Sequence, residues 1–281
     1  MKRVLFTGKT GFVGRNILDL LRERYDIDAP SRRELDLRDR TAICRYVDKG
    51  RYDVVLHMAN PNPTKNPAQD QASDMLKDSL SVFLNLKRTS GLYDKLIYAG
   101  SGAEFDKRLD ICAVTEEEFG RSVPEDVYGF GKYVMNEIAL NSNNIYNLRM
   151  FAIHGPYDHE SKFITHAINC CMKNEPVTIR QDCWFDYLHV YDLITYMTFL
   201  IENQLQHHDY NCCSGERYSL SEIAREVCRQ MGSGHEIKLL APGWNKEYTG
   251  SCQRFKNEYG QDPGFISLQE GVEMQIKFMK G

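Results

Sequence analysis

Residues 4–14 read Val4-Leu5-Phe6-Thr7-Gly8-Lys9-Thr10-Gly11-Phe12-Val13-Gly14. Three apolar residues, a polar threonine and glycines at every third position, followed by an apolar helical stripe, spell strand, tight turn and helix N-terminus in one stretch. Gly8 allows the turn, Gly11 lets backbone approach a pyrophosphate, and Gly14 lets helix and strand pack closely, while the helix start contributes unpaired N–H groups and positive dipole. A dinucleotide fits this arrangement, with Thr7, Gly8, Thr10, Gly11, Phe12, Val13 and Gly14 as candidate contacts. The ATPase phosphate-loop pattern fails, because Arg15 and Asn16 stand where Lys and Ser/Thr would be required.

Outward from this loop, short aliphatic runs alternate with helix-period segments. Strands are predicted over 25–29, Asp53–Met58, Lys95–Ala99 and Ile145–Phe151, and helices over Phe12–Arg24, Thr41–Lys49, 73–91 and Tyr128–Leu140. That pattern is an α/β fold, a doubly wound parallel sheet covered by helices on both faces. Beyond Phe151 the alternation weakens, with isolated helices near Phe163–Lys173 and 219–231 and loop-like sequence around Pro242-Gly243-Trp244. A dinucleotide domain over residues 1–154 and a smaller substrate region over 155–281 follow, with a segment near 186–204 expected to pack back on the first.

Composition narrows the class. The 281 residues carry 35 Lys+Arg against 39 Asp+Glu, a formal net charge of −4, so there is no basic footprint for nucleic acid. Nine cysteines form no CxxC pair of zinc-like spacing, and no metal site is expected. They read as reduced thiols; with only Val4-Leu5-Phe6 apolar near the N-terminus and no long apolar run, the expectation is a cytoplasmic protein that neither enters nor crosses a membrane.

The second strand leaves into Pro30-Ser31-Arg32-Arg33. Arginine forms bidentate bonds to phosphate, so Ser31 and Arg32 suit a 2′-phosphate and favour NADP(H), although NAD(H) stays possible because Asp28 offers a carboxylate to a ribose hydroxyl. Tyr128 and Lys132 stand four apart at a helix start and project from one face. An ammonium near a phenol lowers its pKa and makes it a competent acid/base. Ser101, at the end of the preceding strand, lies where open α/β sheets bind ligands.

Together these residues resemble the extended short-chain dehydrogenase/reductases, specifically the nucleotide-sugar epimerase, dehydratase and reductase group. Thr7–Gly14 resembles TGxxGxxG, residues 56–59 the hxAA segment, Ala99-Gly100-Ser101 the strand bearing the catalytic serine or threonine, and Tyr128–Lys132 the YxxxK pair. Residues 148–156 are similar to LRxFNVYGP, 186–192 to DFIHVDD and 210–216 to YNIGSGE. The resemblance implies a Rossmann-like domain, an NAD(P) cofactor, a nucleotide-diphosphate sugar as substrate and a homodimer. It makes Tyr128 the general acid/base, Lys132 the residue that lowers its pKa and holds the nicotinamide ribose, and Ser101 the group polarising the carbonyl. Asp36 and Leu37 match the adenine-flanking pair, and Met58, Ala59, Phe151 and Ile153 stand beside the cofactor.

Departures carry the reaction. In the family's 4,6-dehydratases Asp and Glu follow the catalytic threonine; here Gly102 and Ala103 follow Ser101, and Glu104 is one place too far along a strand, facing the other side. GDP-fucose synthase, which residues 31–37 resemble, uses a cysteine where Ala103 stands, and a histidine with which His159 is out of register. Reduction of a 4-keto-6-deoxy nucleotide sugar needs only Ser101, Tyr128, Lys132 and a reduced cofactor; redox-neutral 4-epimerisation, or cofactor binding without chemistry, are the alternatives. Phe185 replaces the arginine that many relatives place before Asp186 for the diphosphate, leaving Arg180 or Arg254 as substitutes. Gly102, Ala103, His154 and His159 complete the candidate substrate contacts, and Trp184 is either core or a stacking partner for a base.

Overall fold

A computed structural model describes residues 1–60 and 72–281. In chain order the elements are β1 (Arg3–Thr7), α1 (Phe12–Arg22), β2 (Asp26–Asp28), α2 (Arg40–Gly50), β3 (Val54–His57), α3 (Ala72–Lys87), β4 (Lys95–Ser101), β5 (Ile111–Val114), α4 (Val127–Leu140), β6 (Ile145–Met150) and β7 (Ala152–His154). There follow α5 (Phe163–Lys173), β8 (Val177–Ile179), β9 (Trp184–Phe185), β10 (Tyr187–His189), α6 (Leu193–Glu202), β11 (Asp209–Cys212), β12 (Tyr218–Ser219), α7 (Leu220–Met231), β13 (Ile237–Leu239), β14 (Tyr248–Gly250), α8 (Gln253–Tyr259) and α9 (Leu268–Lys280).

The central sheet has six parallel strands in the order β11-β6-β4-β3-β1-β2. Strand residues alternate between two cores, as a two-residue side-chain period requires. Val4, Phe6, Val54, Leu56 and Leu148 pack with α1 and α6, whereas Leu5, Val55, Leu96 and Ile145 pack with Ile43, Phe83 and Met135 of α2, α3 and α4. The Rossmann-like, doubly wound expectation therefore holds. From β1 the chain runs to β2 on one side and then to β3 on the other, so a crevice opens where the C-terminal ends of β1 and β3 diverge, the position at which such sheets bind ligands.

The boundary between sheet and C-terminal region is interleaved. Residues 209–212 supply the outermost strand, and Leu193, Tyr196, Met197 and Leu200 of α6 lie in the same core as Ile17 of α1. In β11 Tyr210 and Cys212 face the main core, while on its other face Asp209 and Asn211 are buried and paired with polar partners inside the fold. A separate core joins α5, α7 and α9, and a small sheet, β12-β9-β14-β5, ties the C-terminal region to the chain following Ser101.

Candidate active site

The loop after β1 is shaped by contacts that only glycine permits. Gly8 has φ +93°, in the left-handed region, and a Cβ there would lie 2.6 Å from the Ala59 amide nitrogen. At Gly14 a Cβ would meet Gly8 O at 2.5 Å and Lys9 Cα at 2.7 Å, so this glycine clears the loop itself rather than the neighbouring strand. Gly11 caps α1 without any side-chain hydrogen bond, and the first turn contains no acid. Its own N–H bonds Gly8 O at 3.0 Å, which folds the loop over the helix start. An uncapped helix N-terminus with positive dipole and no competing carboxylate fits a dinucleotide pyrophosphate. Thr7 Oγ1 and His57 Nδ1 join across β1 and β3 at 2.7 Å beneath it, and Met58 is buried just beyond.

At the ribose end, Asp28 is not presented to the crevice. It shares a register position with Leu5, and both carboxylate oxygens accept hydrogen bonds from phenols on the α2 side: Tyr46 Oη at 2.9 and 3.1 Å, and Tyr52 Oη. Burial first, and Asp28 second, push the Tyr46 phenol up to about 12, so it remains a donor. The Ser31 N–H donates to Glu34 at 2.6 Å, and Glu34 also faces Lys9. Arg32 and Arg33 are exposed, and among the described residues neither forms a salt bridge. Asp36 is held down to about 2, chiefly by hydrogen bonds from Arg38; Leu37 is half-buried beside it.

The expected trio converges. Asp126 caps α4 by accepting the Gly129 N–H at 2.9 Å, which starts the helix so that Tyr128 and Lys132 face the end of β4. Ser101 is buried and close enough to the Tyr128 phenol to pull its pKa down; its Oγ accepts the Ala103 N–H at 3.2 Å. Lys132 is buried, donates to Ala99 O, and lies 5.8 Å from the Tyr128 ring centroid. Its pKa is lowered to about 8 by burial, against an opposing pull from Glu104. Burial and the Lys132 ammonium together hold His57 down to about 3, a neutral imidazole under the loop. Tyr128 departs from expectation: burial raises its pKa, and the group that opposes this is Ser101. Lys132 stands over the ring and donates one of its three N–H groups to Ala99 O.

The chain after Ser101 is a tight helical turn, Gly102–Phe105, rather than continued strand. Glu104 nevertheless points away from the site, fully buried and bound to Arg149 Nε at 2.8 Å and Asn147 Nδ2 at 3.1 Å. Phe151 lies near Gly102, Ile153 packs at the margin of the main core, and buried His154 bonds Gln275 Oε1 at 3.1 Å. His159 bonds Ser161 Oγ at 2.8 Å and Arg180 is exposed after β8, so the structure brings neither against Ser101 through any contact among the described residues. Arg254 is committed to Asp209, Glu116 and Glu117 and is not free to hold a diphosphate. Trp184 stacks on half-exposed Trp244, centroids 4.9 Å apart and 5° from parallel, with Arg217 4.3 Å from its centroid.

Tyr248 is the residue that sequence reading missed. It belongs to β14, far along the chain, yet its phenol comes close enough to Ser101 for the serine to pull the phenol's pKa down against burial. The nearest signal was Gly102, where a Cβ would lie 2.7 Å from Tyr248 Oη.

No helix among the described residues is long and apolar enough to cross a membrane. ADP-L-glycero-D-manno-heptose-6-epimerase of Brachyspira hyodysenteriae is 23% identical over 99% of this chain and 98% of that protein. A UDP-glucose 4-epimerase from Thermotoga maritima, solved with UDP-glucose, superposes with TM-score 0.83 at 18% identity over 99% of this chain and 98% of its own. A GDP-mannoheptose C4 reductase from Campylobacter jejuni, solved with NADP, gives 0.82 at 18% identity over 100% and 98%. The two solved structures share the fold, one isomerase and one reductase on the same architecture. Residues 4–213 match the model of the NAD dependent epimerase/dehydratase family, and the chain belongs to that family of NAD(P)-dependent nucleotide-sugar enzymes.

Proposed function

We propose that the protein is an NADPH-dependent reductase of a nucleotide-activated 4-keto-6-deoxy sugar. The observation that carries this reading is the spare inventory of the site: Ser101, Tyr128 and Lys132 meet there, while of the carboxylates that act on Tyr128, Glu104 is bound to Arg149 and turned away, and Asp126 caps α4 and faces Lys107. Dehydration or epimerisation next to the carbonyl requires a second acid/base at the sugar carbons, and Gly102 and Ala103 cannot serve. The clamp on Asp28, and an exposed Arg32 that forms no salt bridge among the described residues, support a 2′-phosphate over a bare ribose.

The loop amides at the start of α1 would hold the pyrophosphate, Arg32 and Ser31 the 2′-phosphate, and Lys132 the nicotinamide ribose. The bound dinucleotide supplies the hydride. Ser101 donates to the substrate carbonyl oxygen and polarises it. Tyr128, kept protonated by burial, transfers its proton to the oxygen as negative charge grows there. Lys132, 5.8 Å from the ring centroid, offsets the charge left on the phenol.

Loss of NADPH absorbance with a nucleotide 4-keto-6-deoxy sugar checks the proposal. Tyr128→Phe should lower kcat by about 10²–10⁴-fold, the worth of a positioned acid, while binding NADPH as well as the parent does. Interconversion of hexose epimers with no net change in absorbance overturns the reductase reading.

A further inference from the structure

We propose that Tyr248, delivered by β14 from the C-terminal region, is a positioning residue for the reacting oxygen: its phenol orients the Ser101 hydroxyl so that Ser101 and Tyr128 both present protons to the substrate carbonyl. This inference rests on the reductase reading above. The placement is built rather than incidental. Gly102 directly follows Ser101, and a Cβ on it would come within 2.7 Å of Tyr248 Oη and 2.9 Å of the Phe151 ring. The Tyr248 ring is held between Phe151, at 5.4 Å, and Phe185, at 5.7 Å. Phe185 occupies the position at which an arginine was expected, so this part of the site has an aromatic wall that fixes a hydroxyl in place of a cation that grips phosphate.

The count of donors and acceptors gives the role. A serine hydroxyl has two acceptor positions and one proton. The Ala103 N–H takes one acceptor position on Ser101 Oγ. If the Tyr248 phenol takes the second, the serine proton has only Tyr128 Oη or a ligand oxygen left to bond. Burial raises the pKa of the Tyr248 phenol, against a smaller opposing pull from Ser101, which keeps it protonated and able to donate. Either destination of the serine proton serves the reaction: on Tyr128 it opposes the burial that raises that phenol, and on the substrate it polarises the carbonyl. Without Tyr248 the serine hydroxyl can rotate, and the chain of donors loses its direction.

Tyr248→Phe keeps the ring between Phe151 and Phe185 and removes only the hydroxyl. With NADPH and the ketosugar, the expected result is a kcat about tenfold lower, the worth of roughly one hydrogen bond to a polarised group, with KM within about twofold. The alkaline limb of the kcat profile should move to higher pH, because Tyr128 loses support for its phenolate. NADPH affinity and the thermal midpoint should match the parent. Gly102→Ala, which displaces the phenol sterically, should give the same alkaline shift, and the double variant should shift no further. A titration of ¹³Cζ-tyrosine-labelled, NADPH-bound protein, with the Tyr128 signal assigned by its absence in Tyr128→Phe, reads the same pKa without turnover. If the parent reduces no nucleotide ketosugar, the reductase reading falls, while that titration still decides Tyr248. An unmoved Tyr128 titration in Tyr248→Phe, or a kcat loss accompanied by a lower thermal midpoint, overturns the positioning role.

Discussion

Arg149 and Lys132 are both cations withdrawn from solvent, at 0% and 4% exposure, yet they are held in opposite ways. Arg149 is enclosed by Glu104 at 2.8 Å, Asp209 at 2.6 Å and Asn211 at 2.9 Å, and lies 4.7 Å from the Phe105 ring centroid. These neighbours outweigh burial and raise its pKa. Lys132 has the Ala99 carbonyl and the Tyr128 ring, and burial brings it down to about 8. One centre joins β4, β6 and β11 and is complete in itself; the other sits at the crevice with its charge uncompensated. A buried charge that is fully paired specifies a fold, and one left short of partners is a site waiting for a ligand.

The largest effect should come from breaking the complete centre. Arg149→Met leaves Glu104 buried without its cation and Asp209 with Arg254 alone, a loss of about 3–5 kcal/mol of stability, measured by urea unfolding. The deficit should deepen from pH 5 to pH 8. A buried carboxylate whose folded pKa lies above its unfolded value contributes stability at low pH and loses it as pH rises, and Glu104 is already raised by burial. Neutralising Glu104 as well, as Arg149→Met with Glu104→Gln, should restore most of the loss, because Asp209 keeps Arg254. A single Arg149→Met that costs under about 1 kcal/mol would break the distinction between the two centres.

Lys132→Met probes the incomplete centre and should act with the opposite sign. It removes a buried, unpaired charge, so the cofactor-free protein should gain roughly 1–3 kcal/mol while turnover falls by at least about 10²-fold. The pH dependence follows from a folded pKa of about 8 against 10.5 for the ordinary lysine. Between those values the unfolded chain binds a proton that the folded chain does not, so parental stability rises with pH across that window. In the variant this rise should be missing, which parallel unfolding curves at pH 7 and 9.5 will show.

How much of this was legible in the sequence differs between the centres. The phosphate loop, Ser101, Tyr128 and Lys132 were readable because each sits at the end of an element with a clear period, and local spacing alone brings Tyr128 and Lys132 to one face. Arg149 was read only as part of a run of similar residues, and its partners were invisible. Glu104 lay in a turn that looked like strand, and Asp209 lay in a strand whose polar residues hid it. Tyr248 was equally hidden, since nothing local ties residue 248 to residue 101 except the space left at Gly102. Charges and hydroxyls that find partners across the fold leave no local pattern to read.

Asp28 offers the finest test, because its charge is met in a third way, by neutral phenols rather than by a cation. A carboxylate satisfied by Tyr46 and Tyr52 on the α2 side has no reason to turn toward a ribose, whereas Arg32 is exposed beside the crevice without a salt bridge among the described residues. Cofactor preference should therefore rest on Arg32. By fluorescence titration, Arg32→Ala should weaken NADPH by about tenfold and leave NADH unchanged, with the loss shrinking as salt rises from low to moderate ionic strength. Asp28→Asn should change the NADPH-to-NADH affinity ratio by less than about twofold, since the amide can still accept from one phenol and faces the same side of the sheet. A large gain for NADPH in Asp28→Asn would mean that the carboxylate swings free of its tyrosines and repels the 2′-phosphate, placing Asp28 with Lys132 among the groups that wait on a ligand.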